Sequence, residues 1–425
     1  MMEALAPKIE VRNEYRWATY GEKYKRPLNK VLSTFHNRPI QDFYVKEATS
    51  LHKEAESKAV LVELASDLST NVYSPGDHLG ICPKNTPEQV NYLKKRLSNN
   101  PPCDVPLTLQ DSTRYPRVDL EDFPKFANFD DILFYFVDLR QPTRQEVLGV
   151  LAWYATENKE REMLEVLSTN NNEYEMWKVD EKGICETLAE FKSVAISSAN
   201  LISRMKLIKP RLYSIASSPS EKNVDLVIGV VDYQTQSGVK KKGLASSNLV
   251  WGQIDTRIPG FLRSETSFHL PADSSRPVIM ICAGSGIARF RGFWRKRYEQ
   301  HQQGEKVGTT LLYFGCRTKS MDLLANETES LKSFEFERIS AFSREPGLLK
   351  TYVQDTVLQD GARVYENWIR RGGSVYVCGK IAMAKCAGDS LKRILMKFGS
   401  MDEKSAIQRI DTIKDGNRYQ EDIFG

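Results

Sequence analysis

The stretch Val278-Ile279-Met280-Ile281-Cys282-Ala283-Gly284-Ser285-Gly286-Ile287-Ala288 joins an unbroken apolar run to a glycine turn, and a helical pattern at 290–300 follows it. A short apolar run bounded by glycine reads as a strand buried on both faces. The alternation continues, with strands expected at 309–315, 336–341 and 374–378 and helices at 352–371 and 382–398. Strands alternating with helices build a parallel, doubly wound sheet that binds its ligand at the carboxyl ends of the strands. Residues 272–425 are therefore expected to form one such α/β domain.

Upstream the pattern differs. Residues 59–64, A-V-L-V-E-L, read as a strand, and Tyr73-Ser74-Pro75-Gly76-Asp77-His78-Leu79-Gly80 as a turn entering another. Strand character returns at 212–216, 225–233 and 266–270, whereas 108–200 has the helical period. Residues 51–107 and 201–271 are thus expected to form one antiparallel β-barrel, interrupted by a helical connecting insert at 108–200. The whole chain reads as a multidomain α+β protein. Residues 1–50 are polar and basic without a sustained period, and are expected to be a linker or the edge of something larger.

At 425 residues the chain has room for two or three domains. Its net charge of +5, spread over 60 Lys and Arg against 55 Asp and Glu, gives no basis for nucleic-acid binding. Lys240-Lys241-Lys242 reads as a solvated hairpin, with a docking patch for an acidic partner as the alternative. Seven dispersed cysteines without a C-x-x-C pair read as reduced intracellular thiols, and neither a disulfide frame nor a zinc site is expected. No apolar stretch approaches the roughly 20 residues of a membrane span. Residues 1–12 lack the apolar core of a signal peptide, so the expectation is a cytoplasmic chain without a transmembrane span.

Pro210-Arg211-Leu212-Tyr213-Ser214-Ile215-Ala216-Ser217-Ser218-Pro219 sets an arginine, an aromatic and a hydroxyl within four residues. Such a set suits a flavin: the guanidinium clamps a pyrophosphate, the Tyr ring lies on the isoalloxazine, and the Ser hydroxyl reaches the ring edge. For Tyr213 an ordinary strand-face residue is the alternative. The Gly284-Ser285-Gly286 turn can bring backbone N–H groups and a helix N-terminus to a phosphate, although Arg289 follows Ala288 where a third glycine is usual. Gly315-Cys316-Arg317 and Ala341-Phe342-Ser343-Arg344 each end a strand at one rim, and Lys350-Thr351-Tyr352-Val353-Gln354 opens the next helix. That group suits the 2′-phosphate of NADP, where NAD would call for an acidic residue; separate surface arginines are the alternative. Val375-Tyr376-Val377-Cys378-Gly379 brings a thiol to the same rim, either as packing or as a small polarisable group beside a nicotinamide. Arg418-Tyr419-Gln420-Glu421-Asp422-Ile423-Phe424-Gly425 places an acid and an aromatic at a terminus that would ordinarily fray, with Phe424 covering a flavin face or plugging a core.

Taken in order, these motifs resemble the diflavin reductases related to ferredoxin-NADP reductase, and above all the C-terminal reductase half of nitric oxide synthases. The likeness covers residues 30–425, through P-G-D-H-L-G at 75–80, R-L-Y-S at 211–214, G-L-A-S-S at 243–247, F-G-C-R at 314–317, S-R-E-P at 343–346, V-Y-V-C-G at 375–379 and R-Y-Q-E-D-I-F-G at the end. The resemblance implies FAD contacts at His78, Arg211, Tyr213, Ser214, Val227, Gly229, Gly243, Leu244, Ala245 and Ser246. It implies NADPH contacts at Ser285, Arg317, Ser343, Arg344, Lys350, Tyr352 and Gln354. Ser214, Cys378 and Asp422 would support hydride passage from nicotinamide to flavin, with Phe424 shielding the flavin face. Single electrons would then pass to FMN or haem on a missing or partner domain. The implied partners are a flavodoxin-like FMN domain and a nitric oxide synthase subunit, and residues 1–50 would be the edge of the missing FMN module.

Three positions depart from the family pattern. The usual G-T-G-I-A-P-F is G-S-G-I-A-R-F, so Arg289 stands in place of a proline; Lys380 and Cys386 stand where acidic or amide residues are common. These departures keep a second reading open, a weakened remnant that binds nucleotide or a synthase partner as a regulator.

Overall fold

The computed structural model describes residues 14–52, 59–66, 73–112, 121–331 and 334–424. The chain divides into two compact units, one formed by residues up to Gln41 with 82–211 and 232–248, the other by 42–81, 212–231 and 249–425.

The first unit is mainly helical. Leu148 and Leu151 on Gln145–Tyr154 and Leu164 and Leu167 on Asn158–Thr169 follow the three-residue spacing of a helix face and are buried. Helices Asn171–Lys178 and Ile184–Glu190 follow, and Tyr15–Thr19 pairs antiparallel with Leu107–Asp111. The stretch 14–50, expected to be a linker, instead holds strand Tyr15–Thr19, helix Leu28–His36 and strand Gln41–Ser50. Its polar composition hides them because each buries only a few side chains, such as Val31, Leu32 and Phe43.

The second unit contains two sheets. One has six strands in the order Arg211–Ser214, His78–Ile81, Arg257–Arg263, Gln41–Ser50, Ala59–Ser66 and Val224–Gly229. The three pairs His78–Ile81 with Arg257–Arg263, Gln41–Ser50 with Ala59–Ser66, and Ala59–Ser66 with Val224–Gly229 are antiparallel. Just past Ser214, Ile215 makes an isolated antiparallel bridge to Leu226. The sequence pattern misplaces one of these strands. Residues 266–270 are irregular, and the strand is Arg257–Arg263, whose Pro259 and Gly260 imitate a turn. Gly260 serves close approach there: a Cβ would lie 2.7 Å from the Gly80 carbonyl oxygen. The expected strand at 225–233 also splits, its last part forming the hairpin Asp232–Gln234 with Lys240–Lys242 in the first unit.

The other sheet is parallel, in the order Phe336–Phe342, Thr310–Cys316, Val278–Ala283, Ser374–Lys380, Tyr419–Phe424. Alternate residues feed two separate cores. Met280, Cys282, Leu312, Phe314, Tyr376 and Cys378 face helix Ile287–Gln302, while Ile279, Ile281, Leu311, Tyr313, Val375 and Val377 face the helices after residue 353. Both faces being covered explains the unbroken apolar runs. The helix expected at 352–371 is divided into Val353–Gln359, Gly361–Tyr365 and a wide turn at Glu366–Arg370. The terminus, where a frayed end would be ordinary, holds helix Glu403–Asp415 and the edge strand Tyr419–Phe424.

A buried ionic network ties helix Ile287–Gln302 to the antiparallel sheet. Arg291 Nη1 donates to Asp225 Oδ2 at 2.6 Å and to the Ala216 carbonyl at 2.9 Å, and Arg291 Nε donates to Glu327 Oε2 at 2.8 Å. Burial pushes the Asp225 carboxyl above its ordinary pKa and Arg291 opposes that shift. Removing the cation would strand a buried carboxylate. Arg291→Met is expected to lower stability by about 3–5 kcal/mol, read as a reduced urea midpoint with an unchanged slope.

Candidate functional site

The carboxyl edge of the parallel sheet gathers several of the expected residues. Cys378 and Asp422 face each other in register on adjacent strands, and the Cys378 thiol donates to Asp422 Oδ2 at 3.6 Å. Burial pushes the thiol pKa far above its ordinary value, and the nearby Asp422 charge adds to it, so Cys378 is protonated at neutral pH. The glycine turn leans on this strand: a Cβ at Gly286 would lie 2.4 Å from the Cys378 carbonyl oxygen. Ser285 is exposed on the turn, and Gly284 has the positive φ of 58° that favours glycine. Phe424 pairs in register with Lys380 and keeps 39% of its surface exposed, an unusual state for a phenyl ring. Ser214 ends its strand half-buried and makes no hydrogen bond to Cys378 or Asp422.

Arg289 is 1% exposed. Its Nη2 lies 3.1 Å from Asp422 Oδ2 and 2.5 Å from His78 Nε2, and His78 Nδ1 lies 2.8 Å from Glu265 Oε1. Nε2 accepts from arginine, so the proton of a neutral His78 sits on Nδ1 and donates to Glu265. The guanidinium also stacks 4.4 Å from the centre of the Phe268 ring. The arginine that departs from the family pattern is therefore turned inward against a carboxylate. Glu265 was missed in the sequence, where nothing marks it, because its role comes from a strand far away in the chain.

The residues expected to meet the nucleotide phosphate also lie in this unit. Arg344 N–H donates to the Arg317 carbonyl at 2.8 Å, and Ser343 N–H to the Cys316 carbonyl at 3.0 Å, so the two strand ends are joined. Thr351 N–H donates to the Phe342 carbonyl at 3.1 Å and brings Lys350 and Tyr352 to the same edge. Arg317, Arg344 and Lys350 are exposed, and among the described residues no acidic side chain pairs with any of them. The nearest candidate, Glu345, is held by the Lys319 backbone N–H at 2.6 Å. Lys350 Nζ lies 5.1 Å over the Tyr352 ring. Gln354 is half-buried in the first turn of helix Val353–Gln359. Three uncompensated cations beside a serine hydroxyl fit a phosphate group.

The residues expected to hold FAD are divided. Tyr213 is half-buried, Val227 is buried in the core, and Gly229 has open space where a Cβ would stand. His78 has both ring nitrogens committed as described. Arg211 clusters with the first unit, where it lines a cavity of about 890 Å³ with Phe35, Phe126 and Lys209, and donates only to the Lys209 carbonyl at 2.8 Å. Gly243, Leu244, Ala245 and Ser246 also belong to the first unit, at the start of helix Leu244–Val250, with Ala245 and Ser246 buried. Exposed Arg211 in the first unit suits an anionic group, and in the second unit Gly229 leaves room for close approach of a ligand.

Residues 34–248, slightly more than half of the chain, match the family described as "FAD binding domain", and residues 280–389 match "Oxidoreductase NAD-binding domain". The chain belongs to the FAD-binding reductase family. It is 34% identical over 411 residues to the inducible nitric oxide synthase of Gallus gallus, covering 94% of this chain and 36% of that protein. With the nitric oxide synthase of Anopheles stephensi the identity is 32% over 433 residues, 97% of this chain and 34% of the relative. The inducible nitric oxide synthase of Homo sapiens is 34% identical over 414 residues, with 94% and 36% covered. The chain thus spans about a third of the length of these relatives. Among the described residues no helix is long and apolar enough to cross a membrane, and no group of His, Cys, Asp and Glu could hold a metal ion.

Burial, and then Arg289, hold the His78 pKa below its ordinary value of 6.5, against the opposing pull of Glu265 and Asp422. A histidine shifted in this direction contributes its full stability above the ordinary value and loses it as pH falls toward the folded pKa. The melting temperature is expected to drop as pH falls from 7.5 to 5.5, and the drop should be smaller in His78→Asn. Equal slopes for the two proteins would refute this assignment.

Proposed function

We propose that this chain is an NADPH-dependent flavoprotein reductase module. When bound, NADPH supplies a hydride to FAD, which releases electrons singly to an acceptor such as FMN or haem on a further domain or partner. The observation that carries the preference for NADPH is the unpaired set Arg317, Arg344 and Lys350 beside Ser343. NAD would leave those three cations without a counter-charge.

The remaining roles follow from the chain's own groups. Arg211 would offer its guanidinium to the FAD pyrophosphate and Tyr213 a ring to the flavin, and Gly243 to Ser246 are the other expected FAD contacts. Ser285 offers a hydroxyl at the glycine turn, where backbone N–H groups can meet a phosphate. Cys378 stays a neutral thiol and would offer a nicotinamide ring a small polarisable neighbour that does not attack it. Asp422 accepts the hydrogen bond of the thiol and presents a carboxylate at the carboxyl edge of the sheet, where a developing positive charge on a nicotinamide would be favoured. Phe424 presents an exposed ring that can cover an apolar cofactor face. A flavodoxin-like FMN domain is the natural electron acceptor, in the setting of a nitric oxide synthase-like protein. The remnant reading drew on the charge added by Arg289, which is buried and paired, and on Lys380, which is exposed to solvent.

The test is anaerobic stopped-flow absorbance of the FAD-loaded protein. NADPH is expected to bleach the flavin band rapidly and NADH slowly. A charge-assisted hydrogen bond contributes about 1.5–3 kcal/mol, so Arg344→Ala should raise the KM for NADPH by roughly 10- to 100-fold with little change in kcat. Its KM for NADH should stay as in the parent. Equal bleaching by both nucleotides in the parent would remove the 2′-phosphate assignment, and no bleaching by either would remove the reductase reading.

A further inference from the structure

Arg289 occupies an unusual place. Helix Ile287–Gln302 begins at the glycine turn, and its third residue drives a guanidinium between the two sheets of the second unit. One nitrogen, Nη2, serves two acceptors on different sheets, Asp422 Oδ2 at 3.1 Å and His78 Nε2 at 2.5 Å. The Nε atom is buried without a hydrogen-bond partner. Phe268, whose ring lies beneath the guanidinium, has a positive φ of 69°, a strained conformation for a phenylalanine. A residue selected for stability alone would be apolar here, since a buried ion pair is commonly matched or bettered by hydrophobic packing. The burial, the unpartnered donor and the strained neighbour all accompany one geometric result: five side chains are linked in the order Cys378, Asp422, Arg289, His78, Glu265.

We infer that Arg289 is a positioning residue, which holds the Asp422 carboxylate beside the Cys378 thiol and locks the terminal strand to the strand bearing His78. Asp422 lies on the edge strand Tyr419–Phe424, paired on one side only, with Phe424 two residues beyond. Without a cation behind it the carboxylate has no partner other than a thiol, and the strand has no side-chain tie to the antiparallel sheet through this group. The kinetic consequence of this role rests on the reductase reading proposed above; the structural tie does not.

The charged and titratable groups facing His78 are Arg289, Glu265 and Asp422, with Arg263 opposite it on the paired strand and 3.9 Å from Glu265. This permits a readout without any cofactor. In the FAD-free protein, the imidazole of His78 is titrated by NMR in the parent and in Arg289→Met, Arg289→Lys and Asp422→Asn, with His78→Asn assigning the signal. Arg289→Met should move the His78 midpoint upward, because a repelling cation is gone. Asp422→Asn should move it downward, because an attracting anion is gone, and Arg289→Lys should stay near the parent. Amide exchange of residues 419–424 should quicken by about tenfold or more in Arg289→Met and remain near the parent in Arg289→Lys. If Arg289→Met does not fold, Asp422→Asn and Arg289→Lys still decide the matter through the same titration. An unchanged His78 midpoint in Asp422→Asn, or unchanged exchange in a folded Arg289→Met, overturns the inference.

In the FAD-loaded protein, Arg289→Met should slow flavin reduction at saturating NADPH by about tenfold, with KM nearly unchanged and the same flavin content. Added to Asp422→Asn it should cause little further loss, because the arginine acts through that carboxylate. Losses that multiply in the double variant overturn the positioning role. A parent protein that NADPH fails to reduce counts against the reductase reading alone, and the His78 titration then judges the tie by itself.

Discussion

The parallel sheet is buried on both faces, and most of the second unit follows from that constraint. Strand Val278–Ala283 lies between Thr310–Cys316 and Ser374–Lys380, so its backbone is paired on both sides while its side chains enter two cores. No ligand can reach the middle of such a strand. What remains accessible is its carboxyl end, where the chain order on the sheet reverses between Thr310–Cys316 on one side and Ser374–Lys380 on the other. Ser285, Arg317, Ser343, Arg344 and Cys378 all stand at or near that end because each follows or terminates a strand.

Helix Ile287–Gln302 adds a second constraint. Three of its arginines, Arg289, Arg291 and Arg297, are nearly inaccessible to solvent, and each is directed to a different set of acceptors. Arg291 meets Asp225 and Glu327, whereas Arg297 donates to Thr310 Oγ1 at 2.8 Å and to the Gly308 carbonyl at 2.7 Å. Burial brings the Arg297 pKa down to about 10, still leaving it charged at neutral pH. Guanidinium groups with fixed forks hold strands at defined distances in a way that leucines would not. The helix that starts at the glycine turn is therefore also the element that joins the antiparallel sheet to the parallel one, so geometry at the turn and geometry between the sheets are coupled.

The expectations that held and those that failed separate along physical lines. Strands such as Val278–Ala283 and Thr310–Cys316 were readable because burial on both faces demands unbroken apolar runs. Strand Arg257–Arg263 was not, since Pro259 and Gly260 look like a turn until Gly80 approaches from the neighbouring strand. The terminal residues 418–425 were read as an acid and an aromatic set where a chain end ordinarily frays, with no strand expected; pairing with Ser374–Lys380 makes Tyr419–Phe424 a strand. Helix 352–371 was read as continuous, whereas Gly361 lets Phe398 and Ile394 come close and the helix divides there.

By itself the sequence determined the class of protein: the alternation of apolar runs and helical segments, the glycine turn and the R-L-Y-S, S-R-E-P and C-G motifs are local patterns that carry their meaning wherever the chain places them. It also determined which residue types were present to meet a flavin and a phosphate. The tertiary structure alone decided which of them meet. Cys378 and Asp422 are brought side by side by strand register, and Arg289 and His78, 211 positions apart, by the packing of one sheet on the other. Arg289 looked from the sequence like a charge added beside the dinucleotide; its burial against Asp422 makes it part of the internal frame. The physical reason is that a charge acts through its distance and its surroundings, and neither is written in the residue's name or in its neighbours along the chain.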